Sequence, residues 1–388
     1  MTWPTARFYN ERMMMMLKMS LETEQRKNLF DEEKIRAQAE LSLTAPTVHI
    51  TDDAAPYSVG TRHDFYSNGD YWWPNPDTAD GLPYVRRDGE SNPGNFNSHR
   101  MILRRMRTHV ARLASAYVLS GQEEYAAKAV LFLQEFFLDD ATRMNPHLRY
   151  AQAIPGVSEG RGIGIIDTLH LIDVPMAAVA LRSSAAMTDE MMGGLRQWFA
   201  EYLHWMSTHP NGLEEMNEAN NHSVCWFVQA AAFAYFTDNA EMLDFCRQQY
   251  KHRLLPGQMD ADGSFPLELK RTKPYGYSCF ILDNMVTLCS LLSTPEDNLW
   301  TYELPDGRGI RKGLHYLYPY LLDKTAWPYP PDIEHDEAWP AGMSFLLFAG
   351  LALENNEYVN LWRSLEQDPE DVEVRRNMAI REPLLWLL

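Results

Sequence analysis

From Ser98 onward the apolar residues of this chain recur with the period of an α-helix, and no other feature constrains the fold as strongly. Ile102, Met106, Val110, Leu113 and Tyr117 form one stripe at helical spacings, and Gly121 stops it. After a short turn, residues 123–138 read as a second helix. The unit returns in looser form at 167–181 with 188–206, 222–236 with 240–255, 277–292 with 310–322, and 338–353 with 358–365. Only the pattern recurs; there is no sequence repeat. Few segments read as strands, and Ser264-Phe265-Pro266-Leu267-Glu268-Leu269 is a candidate for a short extended piece. Two architectures fit. One is an irregular all-α protein. The other, preferred, is a toroid of about six to seven helical hairpins, an (α/α) barrel whose loops gather at one end into a cleft. Residues 1–388 are taken as a single domain, and 45% hydrophobic content suffices for its core.

Ahead of the hairpins, residues 8–43 read as two helices, the whole of 1–43 being an N-terminal helical segment. Met13, Met14, Met15 and Met16 fit a helix packed on more than one side, and no cofactor role is assigned to them. Residues 44–97 break the pattern, being rich in Pro, Gly, Asn, Asp and aromatic residues without a sustained period. A loop of that length in a compact domain is usually functional. It contains Asp70-Tyr71-Trp72-Trp73-Pro74-Asn75-Pro76-Asp77 and Gly81-Leu82-Pro83-Tyr84-Val85-Arg86-Arg87-Asp88-Gly89. Aromatic faces stack on sugar rings, while Asn, Asp and Arg bond hydroxyls and carboxylates. Trp72, Trp73 and Asn75 are therefore candidate substrate contacts; the alternative is that the tryptophans anchor the loop to the core. Arg161 sits among Gly160, Gly162 and Gly164, in either a ligand-approaching loop or a plain hinge. The proline-stiffened run from Trp327 to His335 is expected to line the same cleft.

With 53 acidic against 35 basic residues the formal charge is −18, which argues against a general nucleic-acid or anionic-membrane binder. A local basic cleft can still oppose that sign. Cys225, Cys246, Cys279 and Cys289 lack metal spacing and read as buried thiols. No apolar run reaches the ~18 residues of a membrane span, the longest lying around 343–353. The first residues, Met1 to Arg7, lack a signal-peptide pattern, although a removed signal would leave the same start.

Two polar stretches stand out. In Asn217-Glu218-Ala219-Asn220-Asn221-His222-Ser223, adjacent amides and an imidazole precede an apolar helical run. At a first helical turn, neighbouring side chains can reach one pocket, and free backbone N–H groups attract anions. Asn and His supply donors able to hold a carboxylate; the plainer reading is Asn220 as a cap and His222 as a rim residue. The second stretch, from Asp262 to Ser278, brings Lys270, Arg271 and Lys273 close to Tyr275 and Tyr277. A nearby cation lowers a phenol's pKa from ~10, so Arg271 fits beside a catalytic tyrosine.

Together these stretches resemble the alginate lyase superfamily of (α/α)-toroid polysaccharide lyases. The Tyr-Trp-Trp-Pro-Asn-Pro-Asp-Thr and Gly-Leu-Pro-Tyr-Val-Arg-Arg-Asp-Gly runs look closer to a branch containing alginate and glucuronan lyases (polysaccharide lyase family 38-like). The likeness spans about residues 60 to 340. It implies that Asn221 and His222 neutralise a uronate carboxylate, that Tyr277 is the catalytic tyrosine and that Arg271 keeps it reactive. The Arg271-to-Tyr277 spacing is shorter than in some members, which leaves Tyr275 as a rival.

The implied reaction is β-elimination at a 4-linked uronate, without a metal or other cofactor. The C5 proton is weakly acidic because its removal gives an enolate of the carboxylate, so neutralising that carboxylate is the main electrostatic task. Tyr277 takes the C5 proton and returns one to O4 from the same side, which suits β-linked mannuronate or glucuronate. Alternatively His222 is the base and Tyr277 only the acid, which suits guluronate. Asn220, Trp72, Trp73, Asn75, Arg161 and Tyr275 are expected to contact substrate. The expected partner is an anionic uronate polysaccharide, met by a monomer or small homo-oligomer, with no nucleic acid or membrane involved. Family resemblance implies a periplasmic or extracellular setting. Two other readings stay open. A glycoside hydrolase would need paired carboxylates, for which Glu159, Glu268, Asp332 and Glu334 are candidates. A non-catalytic uronan-binding protein would use the aromatic loop alone.

Overall fold

The computed structural model describes residues 23–388, and Met13 to Met16 lie outside the described residues. The N-terminal segment contributes α1 (Thr23–Leu29) and α2 (Glu32–Leu43). The hairpin region follows as α3 (Ser98–Ser120), α4 (Glu123–Phe137), α5 (Asp173–Ala180), α6 (Asp189–Thr208), α7 (Pro210–Met216), α8 (Asn221–Phe236) and α9 (Ala240–Gln249). It continues through α10 (Pro274–Leu292), α11 (Ile310–Leu322), α12 (Ser344–Ala352), α13 (Asn356–Ser364) and α14 (Val372–Asn377).

Composition sorts these helices into two layers. No Asp, Glu, Lys or Arg occurs in α8 or α12, and α10 carries Asp283 alone, so each is apolar around nearly its whole circumference. A helix of that kind must be covered on all sides. Accordingly α3, the 162–180 segment, α8, α10 and α12 pack in succession as an inner layer. The stripe-bearing α2, α4, α6, α9, α11 and α13 lie against them from outside. The chain thus has the all-α toroid architecture expected from its hairpins. Polar links tie the inner segments together where charge is buried: Asp173 on α5 accepts from Arg107 on α3 at 3.1 Å and from Trp386 Nε1 at 2.8 Å. All four cysteines are free and buried.

Several expectations need correction. The 162–180 stretch opens as a 3₁₀ helix, Gly162–Ile172, before α5. Gly162–Ser183 is also long and apolar enough to cross a membrane by length and composition, which the sequence reading missed. However, 78% of that apolar window is buried inside the fold, as befits a core segment. Ser264 to Leu269 is not extended; Pro266–Leu269 forms a helical turn, with Pro266 at the first-turn position where its missing N–H costs nothing. The last inner helix starts at Ser344, after Pro340 and Gly342, rather than at Ala338. Residues 44–97 contain short strands. β1 (Tyr66–Asn68) runs parallel to β4 (Tyr150–Ala153), and β2 (Trp72–Trp73) pairs antiparallel with β3 (Val85–Arg86).

Candidate active site

Two helix starts and one β-ribbon define a cleft of about 410 Å³. Asn220 caps α8, its side chain accepting from His222 N at 3.1 Å, so Asn221 and His222 occupy the first turn at the cleft wall. Pro274 opens α10, and Asp332 accepts from the free N–H groups of Tyr275 and Gly276, each at 2.9 Å. That anchored turn presents Tyr277 to the cleft. β2 and the residue before it bring Trp72 and Tyr71 to the same space.

Each of these side chains is held from behind. Glu215, fully buried on α7, lies 2.9 Å from His222 Nδ1, which leaves Nε2 as the free ring nitrogen. Burial opposes charge on His222, but Glu215, with Glu218 and Glu268 beyond, outweighs it and raises the imidazole pKa. Glu268 accepts from Asn221 N at 3.0 Å and from Asn221 Nδ2 at 2.7 Å. An amide nitrogen has two hydrogens, so one remains for a ligand. Arg271 Nη2 donates to the Tyr277 hydroxyl at 3.1 Å, and its guanidinium lies 4.3 Å from the Tyr277 ring centre. Asp88 fixes that guanidinium at 3.1 Å. The Tyr71 hydroxyl stands 2.8 Å from that of Tyr277.

The expectation for Tyr277 acidity needs revision. Burial, reinforced by Tyr71, pushes the phenol well above its ordinary value, against the pull of Arg271 and Arg376. Desolvation of a phenolate is costly, and here it exceeds the cationic stabilisation. Arg271 and Arg376 thus only partly offset the cost of burying a phenolate at Tyr277.

Of the sequence-predicted residues, the cleft gathers Asn220, Asn221, His222, Arg271, Tyr277, Trp72 and Arg161. Arg161 donates to the Gln152 carbonyl at 2.9 Å and sits 5.6 Å from the Trp72 ring centre. The flanking glycines serve packing: a Cβ on Gly162 would come within 2.6 Å of the Asn211 carbonyl oxygen, and one on Gly164 within 2.6 Å of Ala151 Cβ. Three candidates fall outside the cleft lining. Trp73 donates to the Glu90 carbonyl at 3.0 Å under the Arg87 guanidinium. Asn75 shapes a turn by accepting from Asp77 N at 3.0 Å. Tyr275 is buried and donates to the Tyr320 carbonyl at 3.0 Å. The 327–335 run also stays outside the lining. None of Glu159, Glu268, Asp332 and Glu334 lines the cleft: Glu159 is exposed elsewhere, Asp332 caps α10, and Glu334 accepts from Lys273 at 3.0 Å.

Sequence reasoning missed Tyr71, Asp88, Glu215, Arg104 and Arg376. Tyr71 adjoins Trp72, and Asp88 lies in the Val85-Arg86-Arg87-Asp88-Gly89 run, both in motifs already singled out. Glu215, Arg104 and Arg376 come from separate segments with no spacing that ties them to Tyr277. Five arginines, Arg86, Arg104, Arg161, Arg271 and Arg376, line the cleft of this acidic chain, providing the local reversal of sign an anionic ligand requires. Among the described residues no group of three His, Cys, Asp or Glu side chains is arranged to hold a metal ion.

The Glu215–His222 contact makes a measurable difference. With Glu215 neutral, the imidazolium loses its main stabilising partner, and the His222 pKa should fall. Imidazole NMR titration of Glu215→Gln is expected to show a lower His222 pKa than in the parent protein, and an unchanged pKa would remove Glu215 as its cause.

Residues 50–327 match the alginate lyase family model. An alginate lyase from Bacteroides ovatus superposes with a TM-score of 0.79 at 33% identity, over 92% of each chain. Alginate lyase A1-III from Sphingomonas species A1 shares the fold alone, at 14% identity and a TM-score of 0.51, over 82% of this chain and 85% of that one. A curated RNA pseudouridine synthase of Synechocystis sp., described as uncharacterized, is 29% identical over 104 residues; the match spans 24% of this chain and only 35% of that protein. That local match misses most of both chains, whereas the lyase match takes in the hairpins and the cleft alike. The chain belongs to the alginate lyase family and is a polysaccharide lyase.

Proposed function

We propose that this lyase cleaves β-1,4-linked uronate polymers, mannuronate-rich alginate or glucuronan, with Tyr277 as base and acid. The observation that carries this reading is the grouping in one cleft of a phenol touched by Arg271 with the donors of Asn221 and His222. The substrate carboxylate lies against the free Nδ2 hydrogen of Asn221 and against His222 Nε2. As C5 loses its proton, negative charge moves onto the carboxylate oxygens, and these fixed donors stabilise it. The raised pKa of His222 favours an imidazolium that neutralises charge over an imidazole that abstracts a proton. Tyr277 takes the proton as phenolate, stabilised by Arg271 and Arg376, and returns it to the departing O4. One residue reaches both atoms when H5 and O4 share a face, as in mannuronate and glucuronate. The same reading places the protein in the periplasm or outside the cell, where such polymers are met.

Hydrolysis has less support. Four carboxylates line the cleft, of which Asp70 and Asp167 are engaged by Arg100 and Glu214 accepts from Gly162 N at 3.3 Å, so no pair of unengaged acids stands ready as acid and nucleophile. Incubation with polymannuronate, polyguluronate and glucuronan separates the possibilities through the absorbance of new C4–C5 double bonds. Product from mannuronan or glucuronan supports same-side elimination by Tyr277; product from polyguluronate alone would move the base to His222.

The two tryptophans should now part company. Trp72→Ala is expected to weaken oligosaccharide affinity roughly tenfold, the scale of one lost aromatic platform. Trp73→Ala, whose ring packs on Arg87 outside the cleft, should leave affinity within about twofold. Calorimetric titration checks both, and equal losses would place the two rings on the ligand together.

A further inference from the structure

The proline-stiffened run from Trp327 to His335 stays outside the cleft lining, yet three successive residues of it grip the segment between Arg271 and Tyr277. The two oxygens of Asp332 accept from Tyr275 N and Gly276 N, each at 2.9 Å. Ile333 N donates to the Thr272 carbonyl at 3.1 Å, and Glu334 accepts from Lys273 at 3.0 Å. Thr272, Lys273, Tyr275 and Gly276 are thereby bonded to one neighbouring run. Pro274, between them, has no N–H to offer. Lys273, the residue before α10, makes no side-chain cap, so the helix start is satisfied by a carboxylate 57 residues beyond Tyr275. Asp332 is itself buried and tied down. Its N–H donates to Asp336 at 2.9 Å, and Asp336 pairs with Lys324 at 2.8 Å.

Helix capping alone would not require this much. Arg271 stands on the turn ahead of α10 and Tyr277 in its first turn, with 3.1 Å between Nη2 and the hydroxyl. A twist anywhere in residues 272–276 would alter that distance, and a misplacement of about 1 Å can cost on the order of 10²-fold in rate. We propose that Asp332 is a positioning residue for the elimination: with Ile333 and Glu334 it splints the Arg271–Tyr277 segment while touching no substrate itself. This rests on the reading that Tyr277 carries the proton transfers. Gly276 offers a second way to disturb the splint, because a Cβ there would come within 2.9 Å of Asp332 Oδ2.

The test is steady-state kinetics on polymannuronate and glucuronan for Asp332→Ala, Asp332→Asn and Gly276→Ala, each assayed well below its melting temperature. Asp332→Ala is expected to lower kcat roughly tenfold or more while KM stays within about twofold. Asp332→Asn keeps one acceptor and should retain more of kcat, and Gly276→Ala should reproduce the loss. In Tyr277→Phe there is no phenol left to position. Adding Asp332→Ala to that variant should leave residual turnover, and calorimetric affinity for a mannuronate trisaccharide, within about twofold. A lower melting temperature with full kcat would make Asp332 a purely structural anchor and overturn the proposal. So would losses in Asp332→Ala and Tyr277→Phe that multiply in the double variant. Full kcat in Asp332→Ala beside an inactive Tyr277→Phe would overturn the splint and leave the elimination reading intact. Retained turnover in Tyr277→Phe would overturn both.

Discussion

Tyr277→Phe is expected to lower turnover of polyuronate by about 10³-fold or more, because the lost hydroxyl serves both proton transfers. Binding should change little. The ring keeps its place on α10, Arg271 stays fixed by Asp88, and the carboxylate contacts at Asn221 and His222 remain. In the parent enzyme the phenol is pushed up by burial, so only a small fraction is phenolate at neutral pH. Activity should therefore climb above pH 7 as the phenolate fraction grows and fall again once His222 loses its proton, a bell-shaped profile. Kinetics of the variant beside calorimetric affinity for a mannuronate trisaccharide check this directly. Retained elimination would take the base role away from Tyr277.

Asn221→Ala should cost about 10²–10³ in kcat, the effect of removing one preorganised donor from a developing oxyanion. It has a second consequence. Glu268 is buried and accepts two bonds from Asn221, one from the main chain and one from the side chain. Losing the side-chain donor should lower stability by about 1–3 kcal/mol. Adding Glu268→Gln removes the stranded carboxylate. The double variant should regain stability in denaturant unfolding while activity stays low. If activity returns together with stability, the role of Asn221 is to hold the fold.

How much of this was legible in the chain depends on how local the determinant is. The bounds of α11 were readable because its stripe and the preceding Gly309 both lie within the segment. The start of α8 was readable because its cap, Asn220, is adjacent in sequence. The 3₁₀ stretch from Gly162 was not, since a nearly continuous apolar run carries little period. In residues 264–269 apolar and polar residues alternate, as in a strand, while the first-turn proline permits a helix; the helix prevailed. Trp72 and Trp73 show the limit of reading a motif as a unit. Successive strand residues point to opposite faces, so one strand could not send both rings into one cleft.

The site divides in the same way. Asn221, His222, Arg271 and Tyr277 lie in two compact runs whose residue types point to their chemistry. Their supports do not. Glu215 stands on a different helix from His222, Asp88 reaches Arg271 from the ribbon loop, and Arg376 comes from α14 near the end of the chain. These contacts exist only once the toroid brings distant segments together. The sign of the Tyr277 shift was also hidden, because the cation is visible in sequence while the burial that opposes it is not.

The most direct measurement is the mass of the oligosaccharides released from polymannuronate or glucuronan by the wild-type enzyme. Elimination adds no water, so the cleaved ends should be lighter by one water than hydrolysis products and should carry a C4–C5 double bond. Products that have gained a water at each cleaved bond would contradict elimination and return the cleft carboxylates to consideration.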